Sequence, residues 1–391
     1  MTALNVVGAS ACAHLLTSFD SDGAPLFHAN RKWTSKGRVL KIYESPWGEV
    51  PLERHLYQTS AGGQTWCPLE DRARIAGGSA TPILARTLAY KYVFFNAKAA
   101  ARDLRENHAR CLAPSYVADI ARAVADAAAE PIVEQSAHAP QSDPSLVHTL
   151  ALGLDGTCAF FCDEGQKQCM VGTISMYDAK GERLETIYLG QAPEVGKPTF
   201  LAKLDAEWQR ICAIFPTAKR VGVSDGARDY EIWLKERTTW QVLDFYHASE
   251  YLTEAAAGMV RKRGDREAWL KATCHALKHE FGGAKRIAAE LAQQASKGSR
   301  TRGAAAALGA ACSYFANNVE RMNYSVYRAM NMPIGSGVTE AACKTLVKAR
   351  LCNSGMQWTR SGAQTVLTLR ALILSDSRWD SLWRFFDENG Y

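Results

Sequence analysis

At 391 residues and 47% hydrophobic content, the chain is long enough for two or three domains with cores of their own, which excludes disorder as its main state. Charge or glycine breaks every apolar run before it reaches a membrane-spanning length, and MTALNVVGASACAHLL has no charged stretch ahead of its weakly apolar run, so a soluble, non-secreted protein is expected. The net charge of +6 fits a polyanionic partner without demanding one, and eleven cysteines, mostly in apolar or helical surroundings (Cys158, Cys162, Cys169, Cys212, Cys312, Cys343), suggest buried, reduced thiols in a cytosol.

Residues 1–68 read as a small β element. In RVLKIYESPWGEVPLERHLYQT, apolar and polar residues alternate on both sides of Ser45-Pro46-Trp47-Gly48, the pattern of a hairpin. Residues 69–130 turn helical, with Ser79, Thr81 and Pro82 marking a helix start. NAKAAARDLREN and PSYVADIARAVADAAAE, joined by a short link, suit a helix-turn-helix whose second helix presents Ser115, Tyr116, Asp119 and Arg122 outwards to DNA. Any two adjacent amphipathic helices share this pattern. Residues 131–147, rich in Pro, Ser and Gln, read as a linker.

From 148 to 247 the pattern is strand, strand, strand, helix, strand, helix, strand, with TLALGLDGTCAFFC first and WQVLDFY last. This is the order of the ribonuclease H fold, an α/β class in which the first strand is central. The strand ending at Asp225 would then lie beside it, and Asp155 and Asp225 would face each other. Residues 248–329 carry no strand signal and are too long for a connection, so they read as an all-helical insertion. Arg261, Lys262 and Arg263 open a basic stretch there, either a phosphate-contacting surface or a solvated helical face. Residues 330–391 would supply the C-terminal helices of the core. The Gly-rich turn in MPIGSGVTEAAC starts a helix with Glu340 in its first turn.

Asp155, Asp225 and Glu340 thus converge on one end of the sheet. Like charges there raise each other's proton affinity unless a cation sits among them, and hard oxygen ligands select magnesium or manganese. Two such ions about 3.5–4 Å apart can activate an attacking oxygen and stabilise a leaving one in phosphodiester chemistry. Each residue also has a structural alternative: a strand-end turn for Asp155, a helix N-cap for Asp225 and a helix-dipole partner for Glu340.

GLDGT, VSDGA, LDFYHASEYL, PIGSGVTEAACKTLVKARL and SGMQWTRSGAQTVLTLRALILS resemble bacterial insertion-sequence transposases of the DDE type, closest to the ISKra group. Matching runs extend from about Leu152 to Trp383. The resemblance implies that Asp155, Asp225 and Glu340 are the catalytic, metal-ligating triad, with two Mg2+ or Mn2+ ions per site. Asp244 and His247, in an Asp-x-x-His signature, would support the site from the neighbouring strand. It further implies double-stranded DNA partners (terminal inverted repeats and target), a homo-oligomer on paired ends, and a place at the bacterial nucleoid. The alternatives are a nuclease of the same fold without strand transfer, and a domesticated DNA-binding protein.

Other candidates carry less. Trp358 could stack on an unpaired base or pack under the last helix, and Arg350 and Arg360 could contact phosphates or flank solvated helix ends. Cys274, His275 and His279 share a helix face but lack a fourth zinc ligand, Cys158 and Cys162 read as buried thiols, and GGSATP lacks the lysine of a P-loop.

Overall fold

The Ser45-Pro46-Trp47-Gly48 stretch turns the chain because the Ser45 hydroxyl accepts the amides of Trp47 and Gly48 and donates to the Gly48 carbonyl at 2.8 Å. Strand β2 (Arg31–Ser45) therefore returns as β3 (Gly48–Thr59), and β1 (Leu26–His28) adds a third antiparallel strand. The computed structural model describes residues 2–130, 140–260, 262–297, 301–375 and 378–389, which divide into two units. Among the described residues no helix is long and apolar enough to cross a membrane.

The first unit comprises residues 1–140 and 350–391. The β element assigned to residues 1–68 also contains the helix Thr2–Ser18, which the sequence reading omits. That helix is weakly apolar all round, so it has no polar face to mark its period. It is placed by contacts instead: Leu16 joins Tyr43, Val50 and Leu69, and Trp47 stands where a side chain on Gly8 would be, 2.3 Å from an added Cβ. The helices Pro82–Phe94, Ala97–His108 and Pro114–Ala128 match their expected starts, with Thr81 and Asn96 as N-caps.

These helices bury Leu88, Val117, Ile120 and Val124 in one cluster with Val366, Leu369, Trp379, Leu382, Trp383 and Phe386. The helices Arg360–Leu374 and Arg378–Asn389 consequently belong to the first unit. Expected as the end of the catalytic core, the stretch 330–391 is divided at Arg350. Local patterning could not show this, because an apolar helix face looks the same whichever partner covers it.

The second unit, residues 141–349, is built on a five-stranded mixed sheet in the order β6-β5-β4-β7-β8. Its strands are β4 (Thr149–Phe161), β5 (Gly165–Tyr177), β6 (Arg183–Gln191), β7 (Lys219–Ser224) and β8 (Trp240–Leu243). β4 is central, antiparallel to β5 and parallel to β7. Alternation sends Leu150, Leu152 and Leu154 to one face, where they meet Phe200, Leu204 and Trp208 of the helix Pro198–Ile214. Ala151, Val221 and Val223 point to the other face, covered by Phe245, Leu252 and Phe315 of helices that run from 245 to 318. The insertion is helical, as expected, but its first helix starts at Phe245.

Two expectations need correction here. Cys158 is exposed and Cys162 half-buried, since the end of β4 projects beyond the helix cover. The linker lies outside the described residues from 131 to 139, but Gln141 and Ser142 are anchored: their amides and the Ser142 hydroxyl donate to Oε2 of the buried Glu185 on β6.

Candidate active site

The register of β4 and β7 ends with Gly153 opposite Val223. Two residues beyond these stand Asp155, on the face of β4 already occupied by Ala151, and Asp225, the first residue past the end of β7. Asp155 lies within β4, paired with Val171, instead of at a strand end. Both carboxylates line a cleft of about 190 Å3 together with Ser224, His247, Ser336, Thr339 and Glu340.

Burial pushes the Asp155 carboxyl above its usual range. The Gly156 amide, 2.6 Å from Oδ1, and the Cys343 thiol, 3.4 Å from Oδ2, counter this, while the charges of Asp225 and Glu340 add to it. Asp225 accepts the Ala227 amide at 2.9 Å, in a turn that Gly226 makes with φ of +105°.

Glu340 sits on the helix Gly337–Ala342, which continues as a π-helical turn, Cys343–Lys348. That helix lies flat on the sheet because Gly153 has no side chain: a Cβ there would meet the Thr339 hydroxyl at 2.3 Å. Thr339 shares a hydrogen bond of 2.7 Å with Thr173 on β5. At the helix start, the Ser336 hydroxyl lies 2.7 Å from Glu340 Oε1 and also bonds Asp244 Oδ2.

Asp244 is fully buried and is the N-cap of the helix Phe245–Met259, accepting the His247 amide at 2.8 Å. It also accepts the Ser336 amide, so one carboxylate joins two helix starts. His247 was expected at a strand end; it stands instead in the first turn of this helix. Its imidazole is 39% exposed, faces the cleft, lies 3.3 Å from Glu250 and packs edge-on against Tyr251 and Tyr314. The sequence singles out neither Thr339 nor Thr173 nor Tyr314, and it offers Cys343 only as a buried thiol; their places at the cleft follow only from packing.

The donor set is all carboxylate oxygen, facing one cleft and mutually repelling, which suits a hard divalent cation. Among the described residues no three His, Cys, Asp or Glu side chains stand close enough together to hold one ion as arranged. Glu340 Oε1 is engaged with Ser336, so Oε2 is the oxygen it can add to those of Asp155 and Asp225 in the cleft.

The expected nucleic-acid contacts divide. Ser115 and Arg122 are exposed, Arg122 lying 3.5 Å from Asp119. Tyr116 is withdrawn: half-buried, its hydroxyl 2.9 Å from the Ser79 hydroxyl and its pKa pushed up to about 12 by burial. Arg350 is 2% exposed and donates to the carbonyls of Tyr92 and Phe95, so it cannot reach a phosphate. Trp358 packs under that guanidinium at 4.8 Å and donates to the Leu351 carbonyl, which favours packing over base stacking. Arg360 is exposed at the start of its helix. In the basic stretch, Arg261 lies outside the described residues, Lys262 is exposed, and Arg263 is paired with Glu267 at 3.0 Å. Arg286 is bound by both Glu280 and Glu290, so part of this stretch is a self-compensated helical face. His275 and His279 stack on each other at 4.5 Å, and Arg328 donates to His279.

No protein-family model matches the chain, and no curated protein matches it.

Proposed function

We propose that the chain is a DDE-type DNA transposase, acting on the ends of a mobile element by metal-dependent phosphoryl transfer. The observation that carries this reading is the register of β4 and β7, which opens Asp155 and Asp225 side by side into one cleft that Glu340 also lines. The strand order agrees with a ribonuclease H-like core, and the resemblance of the sequence to ISKra-group transposases supplies the reaction class. Magnesium or manganese, when bound, would activate the attacking oxygen and stabilise the leaving oxygen of an in-line displacement.

The chain's own residues have distinct parts in this scheme. Asp155 and Asp225 would hold the cation, with Glu340 completing its ligands. Gly156 and Ala227 amides and the Cys343 thiol orient the two aspartates. Asp244 fixes the segment that carries Glu340, and His247 faces the reacting DNA from the helix next to it. Exposed Ser115, Arg122, Lys262, Arg263 and Arg360 would contact double-stranded DNA, in a homo-oligomer on paired ends.

The test is a strand-transfer assay with labelled element ends and a plasmid target in Mg2+ or Mn2+. Native protein should join the ends to the plasmid, while Asp225→Ala and Glu340→Ala should bind but not join. Cleavage without joining would leave a nuclease; binding without cleavage would leave a DNA-binding protein.

A further inference from the structure

β7 and β8 pair as far as Ser224 and Leu243, and the Ser224 carbonyl accepts the Asp244 amide at 2.8 Å, so the pairing ends one peptide short of the Asp225 carbonyl. Beyond that bond, the elbow Ser224-Asp225-Gly226 is gripped by side chains that arrive about ninety residues later in the chain. Tyr314, on the helix Arg302–Asn318, donates its hydroxyl to the Asp225 backbone carbonyl at 3.0 Å. Its ring lies 3.3 Å from where a Cβ on Gly226 would stand, so it also fills the space that the glycine leaves. The ring is itself immobilised by parallel stacking on Tyr251 at 4.0 Å. Arg321, 7% exposed, approaches the other side of the elbow: its guanidinium is 3.4 Å from the Ser224 hydroxyl and 3.0 Å from Glu231, and it also bonds Asn318.

A carboxylate that must meet a cation needs its own backbone held, because a rotation of one peptide displaces the side chain by more than the tolerance of a metal-oxygen bond. The carboxylate's own bond to the Ala227 amide fixes its direction and the Asp244 amide holds Ser224, but the Asp225 carbonyl still needs a second restraint. Tyr314 supplies that second restraint, and it is the insertion that delivers it.

We propose that Tyr314 is a positioning residue: the helical insertion sets the Asp225 elbow through the phenol-to-carbonyl bond, with Arg321 as the second hold. This rests on the reading of Asp225 as a metal ligand. The insertion is then part of the catalytic unit, and its packing governs how well the cleft takes up a divalent cation.

The experiment is calorimetric titration of Mn2+ into the full chain for the native protein, Tyr314→Phe, Arg321→Lys and Asp225→Asn, with melting temperature and end cleavage measured alongside. Tyr314→Phe keeps the ring and its stacking on Tyr251 but lacks the bond to the carbonyl. It is expected to weaken Mn2+ binding by roughly 3- to 10-fold, the range for one lost hydrogen bond. Its DNA binding should be unchanged and its cleavage should recover at raised Mn2+. Should Tyr314→Phe fold poorly, Arg321→Lys carries the same test, with a smaller shift in the same direction. Equal Mn2+ affinity in the native protein and both variants, with loss in Asp225→Asn, would overturn the proposal while leaving Asp225 as ligand. Asp225→Asn binding Mn2+ as tightly as the native protein would remove the ligand reading, and the proposal with it.

Discussion

Asp155 stands where the fold disfavours the charged form of its carboxyl. Burial and the charges of Asp225 and Glu340 all press its carboxyl upward, against only an amide and a thiol. A carboxyl whose proton affinity is higher folded than unfolded contributes stability at low pH that is lost as pH rises through its folded pKa, so ionising Asp155 costs the metal-free protein stability. Asp155→Asn should therefore melt higher than the native protein in chelator, and on the proposed function it should lack the upward shift expected of the native chain with Mg2+ or Mn2+. Thermal denaturation with and without metal reads both effects, and a lower melting temperature in chelator would contradict this account. Arg350 makes the opposite case. Its guanidinium satisfies two backbone carbonyls in a site that is 2% exposed, and it supports the Trp358 ring. Arg350→Ala should lower stability by about 2–4 kcal/mol, since it strands buried acceptors and removes packing. The salt dependence of DNA binding should stay as it was; a slope reduced by about one would show a phosphate contact after all.

At the scale of elements, the cleft depends on how two helix starts are joined. Asp244 ends the turn after β8, caps the helix Phe245–Met259 and takes the Ser336 amide and hydroxyl from the segment that leads to Glu340. Asp244→Ala removes a cap and leaves a buried amide without a partner, a loss of about 2–4 kcal/mol. Asp244→Asn keeps one acceptor oxygen, but its NH2 replaces the other oxygen and faces either the His247 amide or the Ser336 amide and hydroxyl, so it should cost about 1–3 kcal/mol. Urea denaturation measures both losses, and native-like stability of Asp244→Asn would show that a single acceptor oxygen suffices for the joint. The flat seating of the Glu340 helix depends in the same way on the missing side chain of Gly153 and the Thr173–Thr339 bond.

Across the whole molecule, the first unit is discontinuous in sequence. Its helical core takes Val366, Leu369, Leu372, Trp379, Leu382, Trp383 and Phe386 from the C-terminal helices. Each contributes roughly 1.5–3 kcal/mol by burial. Their sum is of the order of the entire stability of a domain. A chain ending at Ala349 should therefore lose protection in the helices between Pro82 and Ala128 while the five-stranded sheet stays protected. Hydrogen exchange by mass spectrometry measures this directly, and unchanged protection of residues 82–128 would place the core elsewhere.

Local pattern alone determines much of this protein. The hairpin about Ser45 and Gly48, the helix starts at Thr81, Asn96 and Pro114, the three-strand meander and the strand-helix alternation after it are all legible, because each is written in turn residues, caps and side-chain period within a few residues. The aspartates could be placed at one end of the sheet by the same means, since the strand order brings Asp155 and Asp225 to neighbouring positions. Tertiary structure alone decided what the surfaces meet. It put His247 on a helix above the cleft, withdrew Tyr116 and Arg350 from any solvent-borne ligand, assigned the last two helices to the first unit, and brought Tyr314 to Asp225. Those outcomes depend on which apolar face covers which, and a face carries no record in its own residues of the partner that will bury it.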